Sequence, residues 1–409
     1  MENRTGARGF RRARLAEVAA PGDGRTPARF VVGWLCACQD DFVPVWVGLL
    51  VMRMRCGNFH SFMFFNPRAC FRAGSSQASI LFSIGLLLVA SAETRAADRV
   101  VYEGKSGPGH GKNIVLLSGD EEYRSEEALP MLGKILAVRH GFKCTVLFPI
   151  NPADGSIDPV ILTNIPGMEA LDTADLCIMA LRFRELPDSQ MKHFVDYLES
   201  GKPIIGLRTS THAFAYEHNK QSPYAKYDWH GREWPGGFGQ QVLGDTWVDH
   251  HGAHGKESTR GVLDPLLKEH PILRGVTNVW APTDVYAIAH LPKDANVLVW
   301  GQVLSGMQPT DPPLTGPKNQ PMMPLVWLRQ YTGEGGRASK ILTTTMGAAV
   351  DLQNESLRRL LVNASYWAVG LEDRIPAQAN VDYVGEYKPL WFGFGKFAKG
   401  IKPEDLAIK

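Results

Sequence analysis

The chain has 409 residues, with 44 Lys and Arg against 42 Asp and Glu, and a formal net charge of +2. Residues 1–97 hold twelve Arg, no Lys and six acidic residues, so without them residues 98–409 carry a formal charge of −4. No basic stripe remains in this larger part, and we therefore predict no nucleic-acid partner.

The first 97 residues are predicted to be a leader outside the folded domain. Residues 80–92 (ILFSIGLLLVASA) are an apolar run of signal-peptide length that ends in a small-residue cleavage pattern. We expect cleavage near Ala92 or Ala96 and a secreted or periplasmic protein. The run is shorter than the roughly 20 apolar residues of a membrane span, so we expect no stable span in the mature chain. An internal Met63 would begin an ordinary signal peptide, which leaves residues 1–62 as mistranslated upstream sequence or a disordered leader.

From residue 112 onward, apolar strand-like runs alternate with segments of helical spacing. The first strands are predicted at Ile114–Leu117, Lys143–Phe148, Leu176–Leu181 and 202–207, with helices at Glu126–Val138, Asp188–Ser200 and Ser356–Val369. Later strands are predicted at 262–267, 295–302, 323–330 and 338–345. Repeated strand–helix units predict an α/β fold with a mostly parallel sheet and helices on both faces. We assign the domain to residues 98–371, and residues 372–409 to a tail that wraps it.

Cys144 and Cys177 are the two cysteines that follow the leader, and each lies inside a predicted apolar strand. A disulfide between neighbouring parallel strands is unfavourable, so we expect two buried free thiols.

The run from Lys202 to Phe214 predicts a central strand that enters a sharp turn at the carboxyl edge of the sheet, where open α/β sheets bind ligands. The elbow position holds Arg208, and the segment contains no nucleophile-elbow frame with Cys or Ser. With Arg182 at a neighbouring strand end, Arg208 indicates an anionic or hydroxyl-rich ligand, or else ion pairing with nearby acids. His212 is either a general acid or base or a packed structural residue.

Polar side chains also follow the first strand. Asp120, Glu122, Tyr123 and Arg124 come directly after it and can grip vicinal hydroxyl groups. The alternative is that the acids here only favour the N-terminus of the next helix.

The strongest local signal is the segment 248–254, VDHHGAH. Its histidines can contact a substrate directly, ligate a divalent metal, or shape a loop. His250 and His254, with Asp249, are the metal candidates. In an extended backbone His250 and His251 point to opposite faces, so at most two of the three histidines can share a centre.

Aromatic residues in the irregular region 215–255 can stack on sugar rings or close the loop into a small core. They are Tyr227, Trp229, Trp234, Phe238 and Trp247. Asp228 and Trp229 within this region, and Asp284 and Tyr286 further on, complete the predicted substrate-binding set.

Several motifs together resemble a known family. They are GDEEY at 119–123, GLRTSTH at 206–212, Pro271-Ile272, TDVY at 283–286, PLVW at 324–327 with GEGGR at 333–337, and NASYWAVG at 363–370. Over about residues 112–370 the chain resembles the ThuA-like (trehalose utilisation) family, which implies a class I glutamine amidotransferase-like, flavodoxin-like three-layer sandwich. Many members have histidine at the elbow and after the late strand, where this chain has Arg208 and Met346. The amidotransferase Cys would fall at Arg208, so the resemblance does not imply amidotransferase activity.

These observations predict a protein that acts on or binds a carbohydrate, either a sugar or an oxidised sugar or glycoside. General acid–base chemistry would use Glu122, His212, His250 and His251, in a hydrolase, lyase or isomerase reaction. The alternatives are a non-catalytic sugar-binding module and a metal-dependent hydrolase. No dinucleotide fingerprint is present and no cofactor is evident, although these residues could hold a divalent metal.

Overall fold

A single ten-stranded sheet organises residues 98–408, the part of the chain that the computed structural model describes. The predicted signal peptide and both predicted cleavage sites lie outside these residues. The strands are β1 (Arg99–Tyr102), β2 (Asn113–Gly119), β3 (Lys143–Leu147), β4 (Leu176–Leu181), β5 (Ile204–Leu207), β6 (Thr259–Leu263), β7 (Trp280–Ala281), β8 (Asn296–Val303), β9 (Met323–Thr332) and β10 (Ala338–Thr344). Their order in the sheet is β1-β3-β2-β4-β5-β10-β9-β8-β6-β7.

The α/β class is confirmed, but parallel pairing extends over less of the sheet than expected. Strands β3, β2, β4, β5 and β10 are mutually parallel neighbours. The pairs on either side of this group are antiparallel. The expectation of a mostly parallel sheet is corrected because the later strands follow one another without helical crossovers, and parallel pairing needs such crossovers.

Helices cover both faces of the sheet, as expected. They are α1 (Ser125–His140), α2 (Asp188–Glu199) and α3 (Glu355–Ala368). Along β2, Ile114 and Leu116 join a core with α1 and α3, while Val115 and Leu117 join a second core with α2. This alternation places α1 and α3 on one face and α2 on the other, which gives three layers.

Strands β1 and β7 were not predicted. Both are short, with four and two residues, and each lies at one end of the sheet order. Edge strands this short give too few residues for a period-two pattern to stand out from a loop.

Cys144 in β3 and Cys177 in β4 are free and fully buried, as predicted. The two strands flank β2, so the thiols do not lie on neighbouring strands. Within residues 98–408, no helix combines the length and the apolar character that a membrane crossing requires.

The elbow predicted after β5 is present. Leu207 ends the strand in an extended conformation, and Arg208, with a left-handed φ of 38°, begins a short 3₁₀ helix over Arg208–His212. A left-handed conformation costs energy for a residue with a Cβ atom, so the surrounding contacts must hold Arg208 in place. The turn directs residues 208–212 to the carboxyl edge of the parallel strands.

Candidate functional site

Five segments that are distant in sequence meet at the carboxyl edge of the sheet. Residues 120–124 follow β2, residues 182–184 follow β4, and residues 208–212 form the elbow after β5. Residues 249–254 lie in the irregular region before β6, and residues 284–286 follow β7. Hydrogen bonds and ring contacts connect all five segments, which identifies this edge as the candidate functional site.

Asp284 is the centre of the site. Its side chain is fully buried and accepts a hydrogen bond from His250 Nδ1 at 2.6 Å and one from His254 Nδ1 at 2.9 Å. Arg208 Nη2 lies 3.3 Å from the same carboxylate. Burial by itself would raise the pKa of Asp284, but the positive charge of Arg208 and the two histidine hydrogen bonds outweigh it and lower the pKa below its ordinary value. Asp284 is therefore ionised and orients both imidazole rings.

Arg208 holds Asp284 in place from within the protein. Its Nη1 donates to the backbone oxygens of Asp284, at 2.9 Å, and of Thr345, at 2.8 Å. Its guanidinium lies between the rings of Tyr123 and Tyr286, 4.1 and 4.5 Å from their centroids. Arg208 is 1% exposed, so it supports the site from within and does not present its charge to solvent.

Glu122 faces the histidine pair, by which we mean His250 and His254. Its Oε1 is 3.7 Å from His254 Nε2, and its Oε2 is 3.8 Å from Arg182 Nε. Burial raises the pKa of Glu122, as does the charge of Asp120, and the positive charges of Arg182 and Arg208 only partly offset this. Glu122 is thus a carboxyl group that holds its proton more readily than an exposed glutamate.

The other two predicted catalytic histidines lie apart from this group. His251 Nε2 is hydrogen-bonded to the backbone oxygen of Lys318 at 2.8 Å, so adjacent His250 and His251 have different partners, as expected for extended backbone. His212 is 3% exposed and packs against Phe183 and Trp247. Burial lowers the pKa of His212 well below its ordinary value, and the charges of Arg182 and Arg208 add to this, so His212 is neutral.

Three predicted binding residues form side-chain hydrogen bonds to other groups of the protein. Asp120 accepts from the backbone N–H groups of Glu122 and Tyr123 at 2.8 and 3.1 Å, and from the Thr209 hydroxyl at 2.7 Å. Arg124 is buried in a left-handed conformation and donates to the backbone oxygens of Glu121 and Gly393. Asp228 accepts from the backbone N–H groups of Tyr216 and His230. Each of them shapes a loop that bears site residues, and Asp249 likewise accepts from the backbone N–H of His250.

Glu121 is a site residue that sequence analysis missed. It pairs with Arg182 and with Arg184, the latter at 3.0 Å, and so joins the loop after β2 to the loop after β4. Its place between Asp120 and Glu122, which were both predicted to be site residues, could have identified it. Carboxylates that follow one parallel strand lie near cations that follow the neighbouring strand.

The C-terminal tail also reaches the site, which sequence analysis did not foresee. The ring of Phe392 lies 5.5 Å from Tyr123 and 5.2 Å from His254, and Phe394 lies 5.0 Å from the Arg182 guanidinium. The aromatic cluster at 391–394 was the available signal, but no periodicity places it against the sheet edge.

Aromatic side chains form one side of the site. Trp229 and Trp247 are partly exposed, have ring centroids 5.9 Å apart and flank His212. Tyr227 and Phe238 instead join the core beneath α2, and Trp234 packs against that core. A polar cavity of about 520 Å³, lined in part by Asp228 and His230, adjoins Trp229. A separate cavity of about 360 Å³, with a mainly apolar lining, lies between α1 and the tail. None of the predicted site residues lines it.

The fold and site define an α/β protein with a polar, loop-borne site at the carboxyl edge of its parallel strands. Residues 162–368 match the family described as ThuA: Trehalose utilisation. The match spans half of the chain, and the chain belongs to this family. The family description suggests a sugar-related role. Comparison with curated proteins gives no match.

Solved structures with detectable similarity include two ThuA-like proteins. One, from Bacteroides uniformis, is 16% identical with a TM-score of 0.39, over 64% of this chain and 93% of that one. The other, from Parabacteroides merdae, is 13% identical with a TM-score of 0.40, over 63% of this chain and 90% of that one. An exo-β-1,4-mannosidase from an Opitutaceae bacterium is 11% identical with a TM-score of 0.31, over 63% of this chain and 35% of that one.

Proposed function

We propose that the protein binds a sugar at the site formed by Glu122, His250, His254 and Asp284 and moves a proton on it. The observation that carries the proposal is the pair of hydrogen bonds from His250 and His254 to Asp284. A carboxylate only accepts hydrogen bonds, so each Nδ1 carries a hydrogen. In the neutral ring, each Nε2 then keeps a lone pair that can accept a proton.

Glu122 and His254 supply an acid and a base that can act on one group. The 3.7 Å between Glu122 Oε1 and His254 Nε2 lets both atoms reach the same hydroxyl or neighbouring oxygens of a substrate. The pKa of Glu122 is raised by burial, which suits it to donate a proton, while His254 accepts one. This pair fits proton transfer beside the carbonyl of an oxidised sugar, or protonation of a glycosidic oxygen.

Residues around the acid–base pair offer contacts that sugars use. Trp229 and Trp247 present partly exposed rings, on which the C–H face of a sugar can stack. The partly exposed Arg182 can donate to hydroxyl or carboxylate oxygens. With Arg208 at the elbow, the reaction has no covalent nucleophile there. We further propose that the protein performs this role outside the cytoplasm, after removal of the leader.

The test combines sugar binding with turnover. Isothermal titration and product detection by NMR would be run with ordinary and oxidised mono- and disaccharides. We expect Glu122→Gln to retain binding while turnover falls at least about 100-fold, the usual contribution of one general acid. His251→Gln is the matched control, because His251 bonds to Lys318 and lies apart from the pair, and it should retain both properties.

Two results would count against the proposal. Sugar binding without turnover in the wild-type protein would reject the catalytic part and leave a sugar-binding module. Failure of every sugar to bind, or equal loss of binding in His251→Gln and His254→Gln, would reject this location altogether.

A further inference from the structure

We propose that His250 Nε2 and His254 Nε2 together bind a divalent transition-metal ion, with Glu122 as a third ligand. This inference concerns the same site as the proposed function: a bound ion occupies the lone pair of His254 Nε2 and the carboxylate of Glu122, so proton transfer by these two groups belongs to the metal-free protein. Metal binding can be measured without any sugar.

The imidazoles of His250 and His254 are held in the way that metal-binding histidines commonly are. His250 and His254 both donate through Nδ1 to the buried carboxylate of Asp284, and their ring centroids are 4.8 Å apart. Histidine ligands of metals commonly donate their other ring N–H to a carboxylate, which fixes the tautomer and strengthens the ligand. One carboxylate serving two rings orients them as a pair.

Glu122 lies close enough to His254 for both side chains to bind one ion. Ligands about 2.1 Å from a tetrahedral zinc ion are about 3.4 Å apart. The 3.7 Å between Glu122 Oε1 and His254 Nε2 is close to this separation, so a small rotation of either side chain brings both to one ion. Glu122 is 9% exposed, and an ion here would give its carboxylate a closer partner than Arg182 at 3.8 Å or His254 at 3.7 Å.

Solvent can reach the side chains of both histidines. The side chains of His250 and His254 are 30% and 36% exposed, in contrast to the fully buried Asp284. An ion can therefore reach the Nε2 atoms from solvent while Asp284 remains behind the rings. The two rings and the carboxylate that holds them are compact, because His250, His254 and Asp284 each have a candidate ligand atom within 4.8 Å of those of the other two.

The ligand set indicates the kind of ion. Two imidazoles and one carboxylate suit zinc and other first-row divalent ions, whereas magnesium and calcium prefer sites made only of oxygen. Three protein ligands leave at least one position open. A sugar oxygen could occupy that position and be polarised by the ion. This last step rests on the sugar binding of the proposed function.

The experiment uses the full chain after EDTA treatment, with its thiols alkylated because leader cysteines such as Cys36 and Cys38 could also bind zinc. Zinc binding is measured by equilibrium dialysis with elemental analysis, and the ligand type by the visible spectrum of the cobalt(II) form. We expect one ion per chain and a cobalt spectrum without thiolate bands. His250→Gln and His254→Gln should each weaken binding at least about 10-fold, within the range seen when a group that supports a metal site is lost.

His251→Gln is again the matched control and should bind zinc as tightly as the wild-type protein. Glu122→Gln should weaken binding without abolishing it, since the two imidazoles remain. Circular dichroism of each variant identifies loss of folding, and Asp284→Asn is avoided because Asp284 also holds Arg208.

No bound zinc in the wild-type protein, or equal binding in His250→Gln, His254→Gln and the control, would overturn the inference. Sugar titrations with the metal-free protein distinguish this failure from failure of the proposed function. Sugar binding with no zinc binding would retain the proposed function and reject the metal site. Zinc binding with no sugar binding would retain the metal site and reject the proposed function.

Discussion

Arg208 donates to both the backbone oxygen and the carboxylate of Asp284, at 2.9 and 3.3 Å. At the turn after β5, where many α/β enzymes hold a nucleophile, this chain therefore places a buried cation that anchors the residue holding the histidine pair. Arg208 and Asp284 are 1% exposed each, so each is the other's principal counter-charge.

Removing Arg208 should destabilise the protein strongly. Arg208→Ala leaves Asp284 buried without its cation, and breaking a buried ion pair in this way costs roughly 3 to 5 kcal/mol. The free energy of unfolding in urea measures the loss. The control is Arg232→Ala, because Arg232 is exposed and should change stability by no more than about 0.5 kcal/mol. Similar stabilities of the two variants would contradict the role assigned to Arg208.

Glu126 should make stability depend on pH. Its two carboxylate oxygens are buried and have no hydrogen-bond partner among the described residues, and burial raises its pKa from 4.5 to about 8. The folded protein keeps a proton that the unfolded chain releases, so the free energy of unfolding falls as pH rises from 4.5 to about 8.

Glu126→Gln removes this titration and should be roughly 3 to 5 kcal/mol more stable than the wild-type protein at pH 9, after subtracting their difference at pH 4. Urea unfolding at both pH values gives the comparison. Glu269→Gln, on an exposed residue, should show no such gain. If the gain at pH 9 is the same for both variants, Glu126 is ionised in the folded protein.

His212 should remain neutral across the physiological range. Burial and two neighbouring arginines lower its pKa well below 6.5, whereas the hydrogen bond to Glu185 raises the pKa of the exposed His218. In NMR spectra recorded between about pH 5 and 8, the ring signals of His218 should shift and those of His212 should not. His212→Gln and His218→Gln assign the signals. A His212 titration near 6.5 would show that its ring is open to water.

Phe392 should contribute more to stability than Phe394, two residues further on. Phe392 is 5% exposed and packs against Tyr123 and His254, whereas Phe394 is 58% exposed. Truncation of a buried Phe to Ala costs about 3 kcal/mol or more, and truncation of the exposed one should cost at most about 1 kcal/mol. Thermal and urea unfolding would rank the two variants, and the reverse ranking would show that the tail does not dock at the site.

The thiols of Cys144 and Cys177 should be unreactive in the folded protein. Burial raises the pKa of both Cys144 and Cys177, which removes the thiolate that attacks alkylating reagents. Iodoacetamide labelling followed by peptide mapping should modify them only in denaturant. Labelling under native conditions would mean that the central strands open to solvent.

Much of the fold could be predicted from sequence because its strands and helices have strong periodic patterns. The predicted strand Leu176–Leu181 agrees with β4 at both ends, and the last helix was displaced by one residue. The antiparallel part of the sheet could not be predicted, because strand direction depends on pairing partners distant in sequence and not on local pattern.

The candidate site was predictable residue by residue but not as an arrangement. The sequence selected His250, His254, Asp284 and Glu122, yet it paired the histidines with Asp249 as metal candidates, and the structure places Asp284 between them. Local spacing cannot show a contact between residues about thirty positions apart. It also cannot show burial, which makes His212 and Arg208 internal residues.

Because the tail contacts the site, the last part of the site to be synthesised lies near the C-terminus. The backbone oxygen of Glu122 accepts a hydrogen bond from the backbone N–H of Gly393, and the Arg124 side chain donates to the backbone oxygen of Gly393, 269 residues further along the chain. A growing chain can form the first strands and helix long before that partner exists. The site, in which Phe392 packs against Tyr123 and His254, is therefore complete only after residues 392–393 have been made.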